Sequence, residues 1–321
     1  MEALLTALKA AAEPTRLRLL ALLEHNELAV SELTQILGQS QPRVSRHLKL
    51  LAEAGLVDRF AEGTWAFYRI AEGQLATALA TLLVDLIPED DTVLARDLQR
   101  LDEIKASRAE AATAYFRDNA GEWDTLRSLY TPEGAVESAI LEILGDQPID
   151  TLVDIGTGTG RMLVILKDRI ERGMGIDMSR DMLSVARANL DAADAQNCQV
   201  RLGDMYHLAL EDHSADVALF HQVLHYAEDP AQAVLEASRV VRPGGRILVV
   251  DFAPHDLEEL RTEHAHRRLG FSDEEVSAWL KKAGAEEVEV RHLKGGELTV
   301  TLWLAHHRAG RSLKVVEGAL A

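Results

Sequence analysis

The sequence of 321 residues has few of the features that mark disulfide-bonded, metal-thiolate, secreted or membrane-spanning proteins. Its one cysteine, Cys198, excludes an internal disulfide and any multi-thiolate metal site within one chain. No apolar run approaches the roughly 20 residues of a membrane span. Residues 1–8 lack a basic start followed by an apolar core and a cleavage site, so no secretory signal is expected. These absences predict a cytoplasmic protein with no membrane partner.

Basic residues are also scarce, and they are unevenly placed. The chain has 34 Lys and Arg against 52 Asp and Glu, a net charge of −18. Residues 1–70 hold eight basic and eight acidic side chains, so the remaining residues carry the whole deficit. A neutral first segment on an acidic body suggests two domains with separate roles.

The segment from Ser31 to Ala54 has the pattern of a helix, a turn and a second helix. Ser31 is a plausible cap for the first helix, and Gly38 is suited to end it. Ser40 is a plausible cap for the second helix. The segment therefore predicts a helix-turn-helix.

The second of these helices separates apolar from basic side chains. Val44, Leu48 and Leu51 follow the spacing of a buried stripe, which leaves other residues on an outward arc: Arg43, Arg46 and His47. Arginine binds phosphates or pairs with guanine, and Ser, Gln and His near a helix start can read base edges. The alternative is a solvated basic face, and this helix alone leaves that alternative open.

Two short runs rich in Val, Phe, Trp and Tyr follow, over residues 56–61 and 64–70, joined at Glu62-Gly63. They predict a β-hairpin, or wing, after the helix-turn-helix. Together with residues 40–51, this pattern closely resembles the ArsR-type winged-helix repressors. The resemblance implies a homodimer that binds double-stranded operator DNA through Ser40, Gln41, Arg43, Ser45, Arg46, His47 and Arg59.

One departure from that family concerns metal sensing. Ala29 and Ser31 stand where metal-sensing members carry cysteines, and neither side chain replaces a thiolate ligand. His25 and His47 are the only histidines before residue 207, so a histidine metal site is not expected in this domain either. No metal site is predicted, and the effector is expected to be another small molecule.

Residues 76–145 are predicted to be a helical dimerisation and connector segment. Leucines recur at helical spacing over residues 75–86 before the break at Pro88. Residues 115–127 include aromatic side chains, which either cover a bound ligand or pack in the ordinary way, and the two alternatives are equal. No low-complexity linker separates the domains, which favours mechanical coupling.

A glycine turn organises the second half of the chain. Residues 153–155 read as a buried strand, and Gly156, Gly158 and Gly160 then lead into a helix. Their G-x-G-x-G spacing differs from the G-x-G-x-x-G of dinucleotide-binding folds, and Asp154 lies two residues before the first glycine. The pattern points away from NAD, which remains the weaker alternative.

A second predicted strand, residues 173–176, ends in another acid, Asp177. The two acids, the loop at residues 203–205, the strand at 216–221 and the turn at 242–245 together resemble the class I S-adenosylmethionine (SAM) methyltransferases. The resemblance implies an α/β fold of Rossmann type. It implies binding of SAM or S-adenosylhomocysteine (SAH) by Asp154, Gly156, Thr157, Gly158, Gly160, Asp177, Met178, Asp204, Met205 and His221.

The predicted organisation is therefore a winged helix (1–75), the connector (76–145), a Rossmann-like domain (146–310) and a tail (311–321). No secure catalytic base is evident, and His221 and His225 are the weak candidates. Arsenite methylation would require several cysteines and is disfavoured. Two functions remain: a repressor of methionine-cycle and SAM-cycle genes that senses SAM or SAH, or an active small-molecule methyltransferase that also binds DNA.

Overall fold

A computed structural model describes residues 1–24, 26–62, 65–71, 74–88, 90–107, 132–260, 266–295 and 298–307. The chain forms two compact units, Met1–Thr113 and Ala114–Ala321. His25, the 115–127 segment and the 311–321 tail lie outside the described residues.

The first unit consists of helices around a small antiparallel sheet. Its elements are α1 (Glu2–Ala11), α2 (Pro14–Leu23), β1 (Leu28–Ala29), α3 (Val30–Leu37), α4 (Gln41–Glu53), β2 (Val57–Glu62), β3 (Trp65–Ile70) and α5 (Gln74–Asp85). Residues 92–107 form a further helix, α6. The sheet order is β1-β3-β2, and β2 and β3 are the predicted wing.

The buried stripe of α4 is as predicted, because Val44, Leu48 and Leu51 are fully buried. Gly38 ends α3 with a φ of 61°, a left-handed conformation that glycine adopts without strain. Leu101 and Ile104 of α6 are buried in the same core. Both α5 and α6 therefore belong to the first unit, although they come from the predicted connector.

The cap predicted at Ser31 was wrong, whereas Ser40 is the N-cap residue of α4 as predicted. Helix α3 begins one residue before Ser31, and the carboxylate of Glu32 accepts a hydrogen bond from Ala29 N at 2.7 Å. Ser40 occupies the N-cap position of α4, but its side chain makes no capping hydrogen bond. Pro42 at the start of α4 lacks one of the N–H groups that a cap would satisfy.

The second unit alternates strands and helices. Its elements are α7 (Glu133–Leu144), β4 (Ile149–Ile155), α8 (Arg161–Leu166), β5 (Ile170–Asp177), α9 (Arg180–Ala192), β6 (Cys198–Leu202), β7 (Ala215–His221), α10 (Pro230–Val240), β8 (Val241–Phe252), α11 (Asp273–Lys282), β9 (Ala285–Lys294) and β10 (Thr299–His307). A short 3-10 helix, Leu224–Tyr226, follows β7.

These strands form one seven-stranded sheet in the order β6-β5-β4-β7-β8-β10-β9. Strands β4 to β8 are parallel, whereas β10 is antiparallel to both of its neighbours. Alternate strand residues enter opposite cores: Val217 and Leu219 pack with α7, α8 and α9, whereas Ala218 and Phe220 pack with α10 and α11. Helices therefore cover both faces of a mostly parallel sheet, as the sequence predicted.

The turn predicted at residues 242–245 was wrong in one respect. These residues lie inside β8, and the pairing register with β7 shifts between Ala215 and Val217. Gly244 has a φ of 82°, so the chain bends there without leaving the sheet. None of the helices in the described ranges is long and apolar enough to cross a membrane.

Candidate functional site

The glycine turn follows β4 at the carboxyl edge of the parallel strands. This edge is where open α/β sheets bind ligands, at the point where the chain reverses its direction of winding. Gly156 has a φ of 75°, and an added Cβ would come within 2.2 Å of the Val223 side chain. Gly158 has a φ of 52° and faces open space. The absence of a side chain at Gly156 thus lets Val223, which follows β7, pack against the end of β4. The backbone at Gly158 is left open to a ligand.

Asp154 is the buried acid of this turn, with 1% of its surface exposed. Its Oδ2 accepts a hydrogen bond from Thr157 Oγ1 at 2.6 Å, whereas its Oδ1 is buried without a partner among the described residues. Burial raises the pKa of Asp154 to about 7, and the charge of Asp177 adds to this rise. A cationic amino group, such as the one SAM carries, would supply the missing partner, so the residues fit that ligand.

Asp177 ends β5 beside this turn. Its Oδ2 accepts from Gly158 N at 2.9 Å, and its Oδ1 accepts from Ser179 N at 2.8 Å. Each carboxylate oxygen can accept a second hydrogen bond, so the group retains capacity for ligand hydroxyls. The structure therefore brings Asp177 to the glycine turn, as the resemblance implied.

The next residues border the same edge. Met178 is 76% exposed beside Asp177, and Gly203 N donates to Asp177 O at 2.9 Å. This bond holds the loop that carries Asp204 and Met205 close to the end of β5. Asp204 is exposed and its Oδ1 accepts from Tyr206 N. An exposed apolar side chain next to a carboxylate suits an adenosine, whose base is flat and whose ribose is polar.

His221 ends β7 and is half-buried. Burial lowers its pKa to about 4, so it is neutral near pH 7. The next residue, Gln222, has a φ of 51°, a conformation that costs a non-glycine residue energy and that clusters at functional sites. The sequence analysis missed Gln222, because no local pattern marks such a backbone conformation.

His225, in the 3-10 helix after β7, forms a buried pair with Asp251 near the end of β8. His225 Nδ1 lies 2.7 Å from Asp251 Oδ1, and the two residues are 2% and 0% exposed. The ring of His266 stacks on that of His225, with centroids 4.0 Å apart. Asp251, which the sequence analysis did not single out, orients the imidazole and holds the proton on Nδ1 when the ring is neutral.

The candidate DNA-binding residues lie in the first unit. Gln41, Arg43 and Arg46 on α4 and Arg59 on β2 are exposed, as is Ser40 just before α4. Two arginines one helical turn apart on an exposed face are available to phosphates or base edges.

His47 differs from the predicted outward arc. It is half-buried, and its Nδ1 lies 3.4 Å from Glu13 Oε2, the carboxylate that caps α2. Burial lowers the pKa of His47, although Glu13 acts in the opposite direction. The ring packs toward α2 because position 47 lies next to the buried stripe.

A cavity of about 590 Å³ joins α3, α4 and the wing. Gln41, Ser45 and Arg59 line it, together with Ser31. Ser31 was predicted as a helix cap and was given no role toward DNA. The structure instead places its exposed side chain beside three predicted DNA-binding residues.

Metal ligation has no candidate in the described part of the chain. No three His, Cys, Asp or Glu side chains lie together there in a way that would hold an ion.

Comparison with protein families gives one match for each unit. The bacterial regulatory protein family of arsR type matches residues 13–59, and the methyltransferase domain family matches residues 153–249. The methyltransferase match supports SAM or SAH as the molecule that this edge of the sheet binds.

Relatives match the chain only in part. An uncharacterised 37.1 kDa protein in transposon TN4556 of Streptomyces fradiae is 34% identical over 145 residues, 41% of each chain. The arsenite methyltransferase of Halobacterium salinarum is 29% identical over 175 residues, 52% of this chain and 45% of the relative. The chain thus spans less than half the length of these curated relatives.

Among solved structures, the YcgJ protein from Bacillus subtilis superimposes with a TM-score of 0.50 and 19% identity. The match covers 56% of this chain and 100% of YcgJ, and it shows a shared fold. The chain therefore joins an ArsR-family helix-turn-helix domain to a methyltransferase domain of Rossmann-like, class I fold.

Proposed function

We propose that this protein is a transcriptional repressor that senses SAM or SAH through its methyltransferase domain and controls methionine-cycle and SAM-cycle genes. One observation carries the proposal: a helix-turn-helix with exposed Arg43 and Arg46 lies in the same chain as a ligand site with two acids at neighbouring strand ends. A DNA-binding domain in one chain with a ligand-binding domain is the arrangement that ligand-controlled transcription needs.

The repressor is proposed to act as a homodimer in the cytoplasm. Leu75, Leu82 and Leu86 on and just after α5 are 44%, 56% and 70% exposed. Apolar side chains grouped on one surface mark sites of protein association. The operator is then a pseudo-palindrome whose half-sites lie about one helical turn apart, about 10 base pairs.

The sign of the response follows from the resemblance alone. SAH accumulates when the methyl cycle stalls, so SAH is proposed to release the operator and SAM to do so less. A ligand changes DNA affinity only by binding the DNA-competent and DNA-incompetent forms differently, typically by about 1–3 kcal/mol. The coupling must be reciprocal, so operator DNA weakens SAH binding by the same factor.

Isothermal titration tests this reciprocity. SAH is titrated into the protein with and without an operator duplex that the protein selects from a random-sequence pool. A thermal-shift series with SAM, SAH and NAD first establishes which ligand binds. Equal SAH affinities in the two titrations would contradict the sensor proposal and favour the second candidate.

The second candidate is a small-molecule methyltransferase that also binds DNA, and the His225–Asp251 pair favours it. An imidazole oriented by a buried carboxylate is a general base when its other nitrogen reaches a substrate proton. His225→Gln tests this role, because it should remove methyl transfer to a protic acceptor while leaving SAM affinity unchanged. His221 is the weaker candidate base, since its low pKa makes it a poor proton acceptor.

Arsenite is not the proposed substrate, although one relative is an arsenite methyltransferase. Burial raises the pKa of Cys198 to about 12, so its thiol stays protonated at neutral pH. A protonated and solitary thiol is a poor ligand for arsenic.

A further inference from the structure

The turn between α3 and α4 fixes the direction in which α4 leaves the domain core. The last carbonyl groups of a helix have no partner within that helix. The turn itself satisfies two of them, because Gly38 N donates to Gln35 O and Gln39 N donates to Thr34 O, each at 3.3 Å. The other two carbonyls must find donors elsewhere.

Arginines from two other helices supply those donors. Arg100 Nη1 on α6 donates to Ile36 O at 2.8 Å, and Arg18 Nη2 on α2 donates to Leu37 O at 3.5 Å. Positive charge at the carboxyl end of a helix is also favourable to the helix dipole. The end of α3 is therefore held from two sides.

Asp97 connects Arg18 to α6, the helix that also carries Arg100. It is 1% exposed, and it accepts two hydrogen bonds from Arg18, at 2.5 Å from Nε and 2.7 Å from Nη2. Asp97 and Arg100 are three residues apart on α6 and so share a face. Leu101 and Ile104 pack into the core of the first unit and so hold this face of α6 against the turn between α3 and α4.

We propose that Arg18, Asp97 and Arg100 are positioning residues for DNA recognition. They fix the turn and thereby the angle of α4, although none of them needs to touch DNA. Asp97 is buried and Arg18 is half-buried, so separating the two would leave the Asp97 charge buried without a partner, which is costly. The ion pair is therefore either made or broken. It is therefore suited to be a two-state element.

The same residues are proposed to transmit the ligand signal, and this half of the proposal rests on the proposed sensing function. Helix α6 is the last described helix of the first unit in the sequence. Because α6 is the described helix of the first unit that is nearest in sequence to the second unit, a ligand-dependent movement of the second unit would act on the first unit through α6. A shift of α6 would move Asp97 and Arg100 together and release the end of α3.

Arg100→Ala in the full-length protein tests the positioning role, with Arg96→Ala as the matched control. Arg96 is exposed on the same helix, so its loss removes the same charge and gives the same helix-forming residue. Arg100→Ala is expected to weaken binding to the selected operator duplex about tenfold, or about 1.4 kcal/mol. Arg96→Ala is expected to stay within about twofold of the wild type in operator affinity and to keep the wild-type affinity for SAH.

Arg100→Lys provides the rescue. Its ammonium can still donate to Ile36 O, so operator affinity is expected to stay within about threefold of the wild type. If Arg100→Ala binds the operator as tightly as Arg96→Ala does, the positioning role is overturned.

The ratio of operator affinity without and with SAH tests the transmission role. This ratio is expected to fall toward one in Arg100→Ala and to persist in Arg96→Ala. An unchanged ratio in Arg100→Ala would overturn transmission. If the wild type itself shows no SAH effect, transmission and the sensor function fail together, while weaker operator binding by Arg100→Ala still supports positioning.

Discussion

The two units differ in the exposure of the arginines and of the two buried acids at their candidate sites. In the first unit, the residues proposed to bind the partner are exposed, as Arg43, Arg46 and Arg59 are. In the second unit, Asp154 and Asp251 at the candidate site are 1% and 0% exposed. A DNA duplex can be reached only from the surface, whereas a small ligand can be enclosed. The exposure of the charges therefore reflects the size of the partner.

Overall charge is also uneven, between the winged helix and the rest of the chain. Residues 1–70 are formally neutral, and the remaining residues carry the net −18. An acidic surface repels a phosphate backbone. DNA contact is thus expected from the first unit alone, and variants in either unit should separate the two kinds of binding.

The largest expected effect is that of Asp177→Ala on ligand binding. The variant loses charge-assisted hydrogen bonds to ligand hydroxyls and to Gly158 N, so SAM and SAH affinity should fall roughly 100-fold, about 3 kcal/mol. Isothermal titration measures this loss. Operator affinity of the free protein should not change.

Asp181→Ala is the matched control, because Asp181 is an exposed acid in the first turn of α9. Comparable losses in the two variants would mean that Asp177 acts only through local charge. A fall in operator affinity with Asp177→Ala would contradict the separation of the two units' roles.

Arg43→Ala and Arg46→Ala are expected to act in the other unit. If the arginine pairs with a guanine, its removal should weaken the free energy of operator binding by about 1–3 kcal/mol, and the loss should depend on the base at one position. An arginine that contacts phosphate should instead reduce the dependence of affinity on salt concentration. Gel-shift titrations over a salt series distinguish the two.

Lys49→Ala is the control, because it removes a positive charge from the same helix. Lys49 is exposed, and its Nζ lies 3.7 Å from Glu53 Oε1. Operator affinity should change little in this control. Unchanged affinity in both arginine variants would remove α4 as the recognition helix.

The next effect in size is the pH dependence of SAM binding. The amino group of SAM favours ionised Asp154, whose pKa burial raises to about 7. Lowering the pH from 8 to 6 reduces the ionised fraction about tenfold, so SAM affinity should fall by about the same factor. Titration of wild type and Asp154→Asn at both pH values checks this, because the variant should show little dependence.

The free energy of unfolding of the ligand-free protein should fall as the pH rises, whereas SAM affinity should increase. The folded-state pKa of Asp154 lies above its ordinary value of 3.8, so its contribution to stability is present below pH 4 and is lost as the pH rises through 7. Asp154→Asn should therefore raise the thermal midpoint of the free protein relative to the wild type more at pH 8 than at pH 4. Equal differences at the two pH values would mean that the carboxyl is already ionised at pH 4.

The smallest expected effect is that of metal ions on operator binding, where we expect no change. Ala29 and Ser31 cannot act as thiolate ligands. Gel shifts with stoichiometric zinc and with a chelator should match those without. Release of operator by zinc would show that a metal site exists.

Features set by neighbouring residues were predictable from the sequence. The buried stripe of α4, the glycine that ends α3 at Gly38 and the alternation of strands and helices along the second unit all follow from local periodicity and turn chemistry. The family match and the sheet topology agree with those predictions.

Features that depend on distant pairing were not predictable. Asp97 meets Arg18 across 79 residues, and His225 meets Asp251 across 26. No local pattern records such pairs, because tertiary packing brings them together. The cap of α3 failed for a local reason instead, because α3 begins at Val30 and the carboxylate of Glu32 accepts a hydrogen bond from Ala29 N.

The position of β10 has a consequence for the order in which the protein is made. This strand comes last in the described sequence, yet it lies between β8 and β9, with Trp303 fully buried. During synthesis, β8 must wait with an open edge until residues 299–307 have left the ribosome, whereas residues 1–107 are available to fold far earlier. The nascent chain is therefore expected to have a folded winged-helix unit before its methyltransferase-like unit is complete.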